Sequence, residues 1–333
     1  MKKCRELVLR SLSEREKSFW ELIDENEYDI KTVIATINEL LGKEIEFNEK
    51  EKKFRIKEPL NYTYINLRCK HCNGRGYTKD HFEDVLNKFV EITKERPLPI
   101  ADYDQGFIIP TDLALKASFM YQRGDIVDRE ILVLGDDDLY SIFLGLTKLP
   151  KRVVVLDIDE RIIDFVNKVA ENENLRIEAI RQDLSKGLPE GIGKFDAFVS
   201  EPPESFLGFK IFLDRGIKSL KGIGSSGYFG LTRLESSWAK WRWIEKLVID
   251  NDFAITDIIR DFSIYPEREN KWEDFYNHYK MMKKIKVNVG LPDIDWYKSA
   301  LIRIEKVERI KEDWSDLYMD EETLATPKPF EGG

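Results

Sequence analysis

From Glu130 onward the chain alternates short, mostly apolar runs with helical stretches, and this alternation constrains the fold more than any other feature. Ile131 to Leu134, Arg152 to Leu156, Arg176 to Arg181, Phe195 to Val199 and Tyr228 to Leu231 read as strands. Helices separate them, one running to about Leu149, one from Glu160 to Glu171 and one through Leu220. Ala254 to Ile259 and Ala300 to Ile304 follow a tryptophan-bearing helix as further strands. Near-continuous apolar strands leave no face for water, so helices must cover both sides; the pattern predicts an α/β, doubly wound parallel sheet. In such sheets ligands bind at the carboxyl ends of the strands.

Those ends are acidic. The first four strands run into Gly135-Asp136-Asp137-Asp138, Asp157, Asp183 and Glu201-Pro202-Pro203-Glu204. Clustered carboxylates repel, so four of them at one edge call for a cation, either a metal or an organic amine. Asp157 lies 22 positions after Gly135, close to the separation of roughly 20 that places an acid on ribose hydroxyls. Asp159 is better placed to cap the helix that begins near Glu160, which leaves Asp157 for the ribose. Asp183 would then reach an adenine amino group. Dinucleotide loops use glycines so that backbone amides approach a pyrophosphate, and three aspartates would repel one. The same repulsion acts on the carboxylate of S-adenosylmethionine. Decarboxylated S-adenosylmethionine keeps its ammonium and sulfonium charges without that carboxylate. The Glu201-Pro202-Pro203-Glu204 turn is similar to the Asp/Asn-Pro-Pro-aromatic turn of amino-group methyltransferases, with a carboxylate where the aromatic ring would stack. A flexible polyamine suits it better than a planar base.

With 333 residues the chain exceeds the size at which one core stops growing. Residues 1–60 read as two helices and a hairpin, a winged-helix-like order that can bind DNA. This segment carries 13 basic and 14 acidic side chains, which favours a dimerisation or packing role. Residues 61–125 form a connecting segment with Cys69-Lys70-His71-Cys72, the knuckle of a zinc ribbon. Only one knuckle is present, so structural zinc at Cys69 and Cys72 competes with two reduced thiols. Residues 126–319 hold the sheet, and 320–333 read as a flexible tail. Trp238, Trp241 and Trp243 read as core or interface. A net charge of −9 argues against general nucleic-acid affinity. No apolar run approaches the roughly 18 residues that span a bilayer, and the N-terminus lacks a signal peptide's apolar stretch, so the cytoplasm is the expected compartment. The density of Lys and Glu is that of many thermophilic proteins.

Taken together, these residues resemble the branched-chain polyamine synthase family. The resemblance rests on Leu134-Gly135-Asp136-Asp137-Asp138, Val155-Leu156-Asp157-Ile158-Asp159-Glu160-Arg161, Pro202-Pro203-Glu204, Gly227-Tyr228-Phe229-Gly230 and Trp296-Tyr297-Lys298-Ser299. Glu201 departs from it, standing where aspartate is expected before the prolines. The resemblance implies a winged-helix-like N-terminal domain and a methyltransferase-type Rossmann domain. It also implies a homo-oligomer, in its simplest form a dimer. The implied reaction moves aminopropyl groups from decarboxylated S-adenosylmethionine to the secondary amine of spermidine, with no further cofactor. Asp138 would be the base, Asp136 and Asp137 would hold ammonium groups, and Glu201 and Glu204 would anchor the acceptor's arms. Tyr103 and Gln105 fall where aminopropyltransferases place acceptor-site residues. Three other readings of the acids stand beside it: an amine methyltransferase, a metal-dependent enzyme and a polyamine-sensing DNA-binding regulator.

Overall fold

The computed structural model of the chain describes residues 2–60, 72, 74–270 and 282–310. Its N-terminal unit comprises α1 (Lys2–Leu12), β1 (Lys17–Ser18), α2 (Phe19–Asp24), α3 (Ile30–Leu40), β2 (Ile45–Asn48) and β3 (Lys53–Ile56). Ser18 and Glu21 close a capping box on α2, and Asp29 caps α3 by accepting from the Thr32 N–H. Two helices and the hairpin lie where the apolar periodicity puts them. The two-residue β1 is an addition, too short for any periodicity to reveal, and it joins a three-stranded antiparallel sheet in the order β1-β3-β2. The core of this unit takes in Leu234, Val289 and Trp296, so it is packed onto the rest of the chain.

The remainder is a seven-stranded sheet. Its strands are β4 (Glu130–Leu134), β5 (Arg152–Asp157), β6 (Ile177–Arg181), β7 (Ala197–Ser200), β8 (Ser226–Leu231), β9 (Phe253–Ile264) and β10 (Lys298–Lys306), in the order β6-β5-β4-β7-β8-β10-β9. Residues of alternate parity feed two cores. Ile131, Val133, Val153 and Val155 pack with α4 (Glu83–Ile92), α5 (Pro110–Gln122), α6 (Tyr140–Thr147) and α7 (Glu160–Asn172) on one face. Leu132, Leu134, Val154 and Leu156 pack with α8 (Phe206–Ser219) and α9 (Trp238–Asp250) on the other. Trp241 belongs to this second core.

The expected doubly wound sheet is present, with one strand reversed. β10 runs antiparallel to both β8 and β9, the methyltransferase-type variant of the doubly wound sheet. Strand direction leaves no trace in apolar periodicity, which reports only which faces are buried. Two glycines let the strands close up. A Cβ on Gly227 would lie 2.3 Å from the Phe198 ring, and one on Gly216 of α8 would lie 2.6 Å from the same ring.

The strand order reverses between β4 and β7, and the crevice at such a switch point is where open α/β sheets bind ligands. The aspartate loop follows β4 and the Glu201 turn follows β7, so the reversal sets both acidic motifs beside each other. Cys69 and the 320–333 tail lie outside the described residues. Cys72 is half-buried, and among the described residues no cluster of three or more His, Cys, Asp or Glu is placed to hold a metal. No helix among them is long and apolar enough to cross a membrane.

Candidate active site

The aspartate loop is folded by its own first carboxylate. Gly135 leaves β4 with φ +71°, a conformation that glycine adopts without penalty. Asp136 then turns inward and accepts from the Ser141 N–H at 3.2 Å and from the Ser141 hydroxyl, supplying the side-chain cap at the start of α6 that Leu139 cannot. Burial pushes the Asp136 carboxyl up to about 8. Its own N–H donates to Asp157 Oδ2 at 2.8 Å, and Asp157 Oδ1 accepts from the Asp159 N–H at 2.8 Å. Asp159 caps α7, as expected from its position.

A strap at residues 104–108 closes over the other two aspartates. Gly106 N–H donates to Asp137 Oδ2 and Ile108 N–H donates to Asp138 Oδ1, each at 2.8 Å. The strap is held in turn by Asn270, which exchanges two hydrogen bonds with the Phe107 backbone, and by Gln105, whose amide donates to Asp159 Oδ2 at 2.9 Å. Arg96 donates to the Asp137 carbonyl and lies over the Phe107 ring, 3.9 Å from its centre. Asp138 Oδ2 is buried and has no hydrogen-bond partner among the described residues. Burial raises the Asp138 carboxyl to about 6, against the pull of the Lys116 cation, which favours ionisation. Burial and the neighbouring Asp138 charge raise Asp137 well above the usual range.

Across the crevice, Glu201 Oε1 accepts from the buried Lys116 ammonium at 2.8 Å, and the Tyr265 hydroxyl lies 3.3 Å from Oε2. Glu204 accepts from the Thr232 N–H and the Ser236 hydroxyl, and burial pushes its carboxyl up to about 8. One turn before Lys116 on α5, Asp112 pairs with Arg75, which follows the cysteine knuckle. Asp112 Oδ2 also accepts from the Ile264 N–H at the end of β9.

Two cavities open onto this crevice and share a wall. The first is polar and reaches from Asp137 and Glu201 to Glu204, Glu235 and Tyr297. The second runs from Gly135 and Asp157 to Asp183, with Ile158, Leu184, Ile211 and Phe212 as apolar sides. Asp104, Gln105, Asp137, Glu201 and Pro203 border both. One pocket has apolar sides between acidic ends, and its neighbour is lined mainly by carboxylates and other polar groups.

Residues 84–326 match the family model described as the branched-chain polyamine synthase A C-terminal domain. The chain belongs to this family. The N(4)-bis(aminopropyl)spermidine synthase of Methanocaldococcus jannaschii is 41% identical over 326 residues, covering 92% of this chain and 91% of that protein. The enzyme of the same name from Thermococcus kodakarensis is 38% identical over 331 residues, 92% of this chain and 90% of that one. Among solved structures, the branched-chain polyamine synthase of Thermus thermophilus in complex with N4-aminopropylspermidine and 5′-methylthioadenosine superposes with a TM-score of 0.80. It is 31% identical and covers 93% of this chain and 89% of that chain.

Within this family framework the residues expected from sequence fall into three groups. Gly135, Asp157 and Asp183 line the nucleoside-shaped cavity, and Tyr103, 41% exposed, lines it too. Glu204 lines the acidic cavity, whereas Gln105, Asp137 and Glu201 border both. Asp136 and Asp138 are buried behind the shared wall. Sequence reasoning missed Lys116, Glu235 and Tyr265, whereas Asp104 lies between the expected Tyr103 and Gln105 and Tyr297 lies in a quoted motif, neither with an assigned role. Lys116 did leave a signal, a lone lysine inside Leu113-Ala114-Leu115-Lys116-Ala117 on a helix otherwise buried there.

Proposed function

We propose that this chain transfers aminopropyl groups from decarboxylated S-adenosylmethionine to the secondary amine of spermidine. The products would be N4-aminopropylspermidine, then N4-bis(aminopropyl)spermidine, with one methylthioadenosine released per transfer. The observation that carries this reading is the shared wall: Asp137 and Glu201 border a nucleoside-shaped cavity and an acidic cavity at once. A sulfonium held in one cavity and an amine in the other would meet there. The ligands of the Thermus thermophilus structure, an aminopropylated polyamine and methylthioadenosine, support the same pairing. Ordinary S-adenosylmethionine would bring its carboxylate towards Asp137, which disfavours a methyl donor.

The step is an in-line displacement. The amine lone pair forms the new C–N bond at the carbon next to sulfur, the C–S bond breaks, and its electron pair neutralises the sulfonium. In the first transfer the amine gives up a proton, because polyamine nitrogens resemble lysine with pKa around 10. Asp138 is the proposed base. Of the three loop aspartates it alone keeps a buried oxygen without a partner, and its carboxyl, raised to about 6, can accept a proton near neutrality. Asp137 holds an ammonium group at the shared wall, and Asp136 shapes the loop. Asp157 and Asp183 take the nucleoside, while Glu201 and Glu204 anchor the acceptor's arms. Decarboxylated S-adenosylmethionine is the co-substrate, and the reaction as written needs no metal. The near balance of charge in residues 1–60 supports packing, not DNA binding, for the winged-helix-like unit. Incubation with spermidine and either sulfonium donor tests the reading. Methylthioadenosine and branched products are expected from the decarboxylated donor; methyl transfer from ordinary S-adenosylmethionine, with no methylthioadenosine from the decarboxylated one, overturns it.

A further inference from the structure

The segment that leaves β8 alternates between two tasks. Thr232 N–H and the Ser236 hydroxyl both donate to Glu204, one to each carboxylate oxygen. Arg233 and Leu234 between them face the N-terminal unit instead. Arg233, 6% exposed, donates to the Ile23 carbonyl at 3.1 Å and the Asp24 carbonyl at 2.7 Å, at the C-terminal end of α2. Leu234 is buried in the N-terminal core, and its carbonyl accepts from the Ile30 N–H at 3.0 Å. That N–H is one of those that a helix start leaves without an intrahelical partner, so the bond satisfies α3 and fixes the segment together.

A second strand repeats the arrangement. Lys298, at the start of β10, donates to Asp24 Oδ1 at 2.6 Å. Its neighbours Tyr297 and Ser299 line the acidic cavity, and Tyr297 donates to Glu235 at 3.1 Å. Trp296 packs against Trp20 of α2, with ring centres 4.7 Å apart and planes 46° apart. Cations from β8 and β10 therefore both grip the end of α2 where the helix dipole favours positive charge, each beside residues that form the far end of the acidic cavity.

We propose that the N-terminal unit is a positioning element for the acceptor site, with Arg233 and Leu234 as positioning residues that set Thr232 and Ser236 on Glu204. The unit touches no substrate. It fixes the end of the cavity farthest from the reacting centre, and so acts on the acceptor and not on the donor. This rests on the reading of Glu204 as an anchor for an acceptor arm.

Steady-state kinetics with spermidine and decarboxylated S-adenosylmethionine test both levels. Arg233→Met is expected to raise the spermidine KM about tenfold, with kcat and the donor KM within about twofold. Arg233→Lys should recover part of the loss. Ile30→Pro provides an independent route: proline is favoured at the first position of a helix, Asp29 before it is already extended at ψ 154°, and the substitution removes the N–H given to Leu234. It is expected to show the same split. In a Glu204→Gln background neither change should raise the spermidine KM further, because the group they position is already altered. The inference is overturned if both folded variants keep the wild-type spermidine KM, or if they raise both KM values and lower kcat together as general damage would. If Glu204→Gln itself leaves the spermidine KM unchanged, the anchor reading fails and takes the inference with it.

Discussion

Gly230 and Glu201 are coupled by space: a Cβ on Gly230 would stand 1.7 Å from Glu201 Oε2. The absent methyl is what allows the Glu201 carboxylate to reach Lys116 and Tyr265 across β8. Gly230→Ala should push the flexible end of Glu201 aside without unfolding the sheet. Overpacking of this kind costs about 1–3 kcal/mol. The expected outcome is a modest fall in Tm with a larger rise in spermidine KM, measured by thermal unfolding and initial rates. An unchanged KM would separate Glu201 from acceptor binding.

The division of labour in the aspartate loop is open to a paired test. Asp138→Asn should abolish turnover while nucleoside affinity, read by equilibrium binding of methylthioadenosine, stays within a few fold. Asp137→Asn should raise the KM of both substrates, because that side chain borders both cavities. If Asp137→Asn is the variant that loses kcat while Asp138→Asn retains it, the base has been assigned to the wrong aspartate.

Lys116, with Arg96, is a cation that this acidic site supplies for itself. Its pull on Asp138 counteracts burial, so Lys116→Met should raise the Asp138 carboxyl further above about 6. A base that must be ionised loses activity as pH falls through its pKa. The acid limb of the kcat/KM profile should therefore move upward in the variant, by about one unit or more. A drop in stability with the limb unmoved would leave Lys116 a purely structural residue.

Stability should also fall with rising pH. Asp136 and Glu204 are raised to about 8 and Asp112 to about 7, whereas unfolded carboxyls titrate at about 3.9–4.3. Between these limits the folded chain binds more protons than the unfolded one. Their contribution is complete below about pH 4 and is lost as pH rises through 7 to 8. The Tm of the ligand-free protein is expected to decline across pH 5 to 9, and Asp136→Asn should flatten part of that slope. A Tm that climbs with pH over this window would show that the loop carboxyls are ionised when folded.

Much of this site was legible because strand ends are legible. Continuous apolar runs that stop at acids put Asp136 to Asp138, Asp157, Asp183 and Glu201 on one edge of the sheet. Position alone identified Asp159 as the cap of α7, but it did not reveal that both Asp157 oxygens accept backbone N–H groups. What escaped was whatever acts through the backbone or over a long sequence separation. The strap holds Asp137 and Asp138 by the N–H groups of Gly106 and Ile108, which any residue but proline would provide. Lys116 meets Glu201 across 85 positions, so its partner could not be read from the helix that carries it. The reversed β10 was hidden as well, since a continuously buried run reads the same in either direction.

The shared wall has a consequence for what leaves first. In the proposed reaction the donor arrives positively charged beside Asp137 and Glu201, which border both cavities; once the aminopropyl group has crossed, methylthioadenosine is neutral. All the remaining charge then sits on the polyamine, in the cavity that Glu204 and Glu235 extend. The spent nucleoside loses its electrostatic hold while the singly extended product gains one. If the proposed roles hold, such a site would exchange its donor around a retained acceptor and favour a second addition without any moving part to enforce the order.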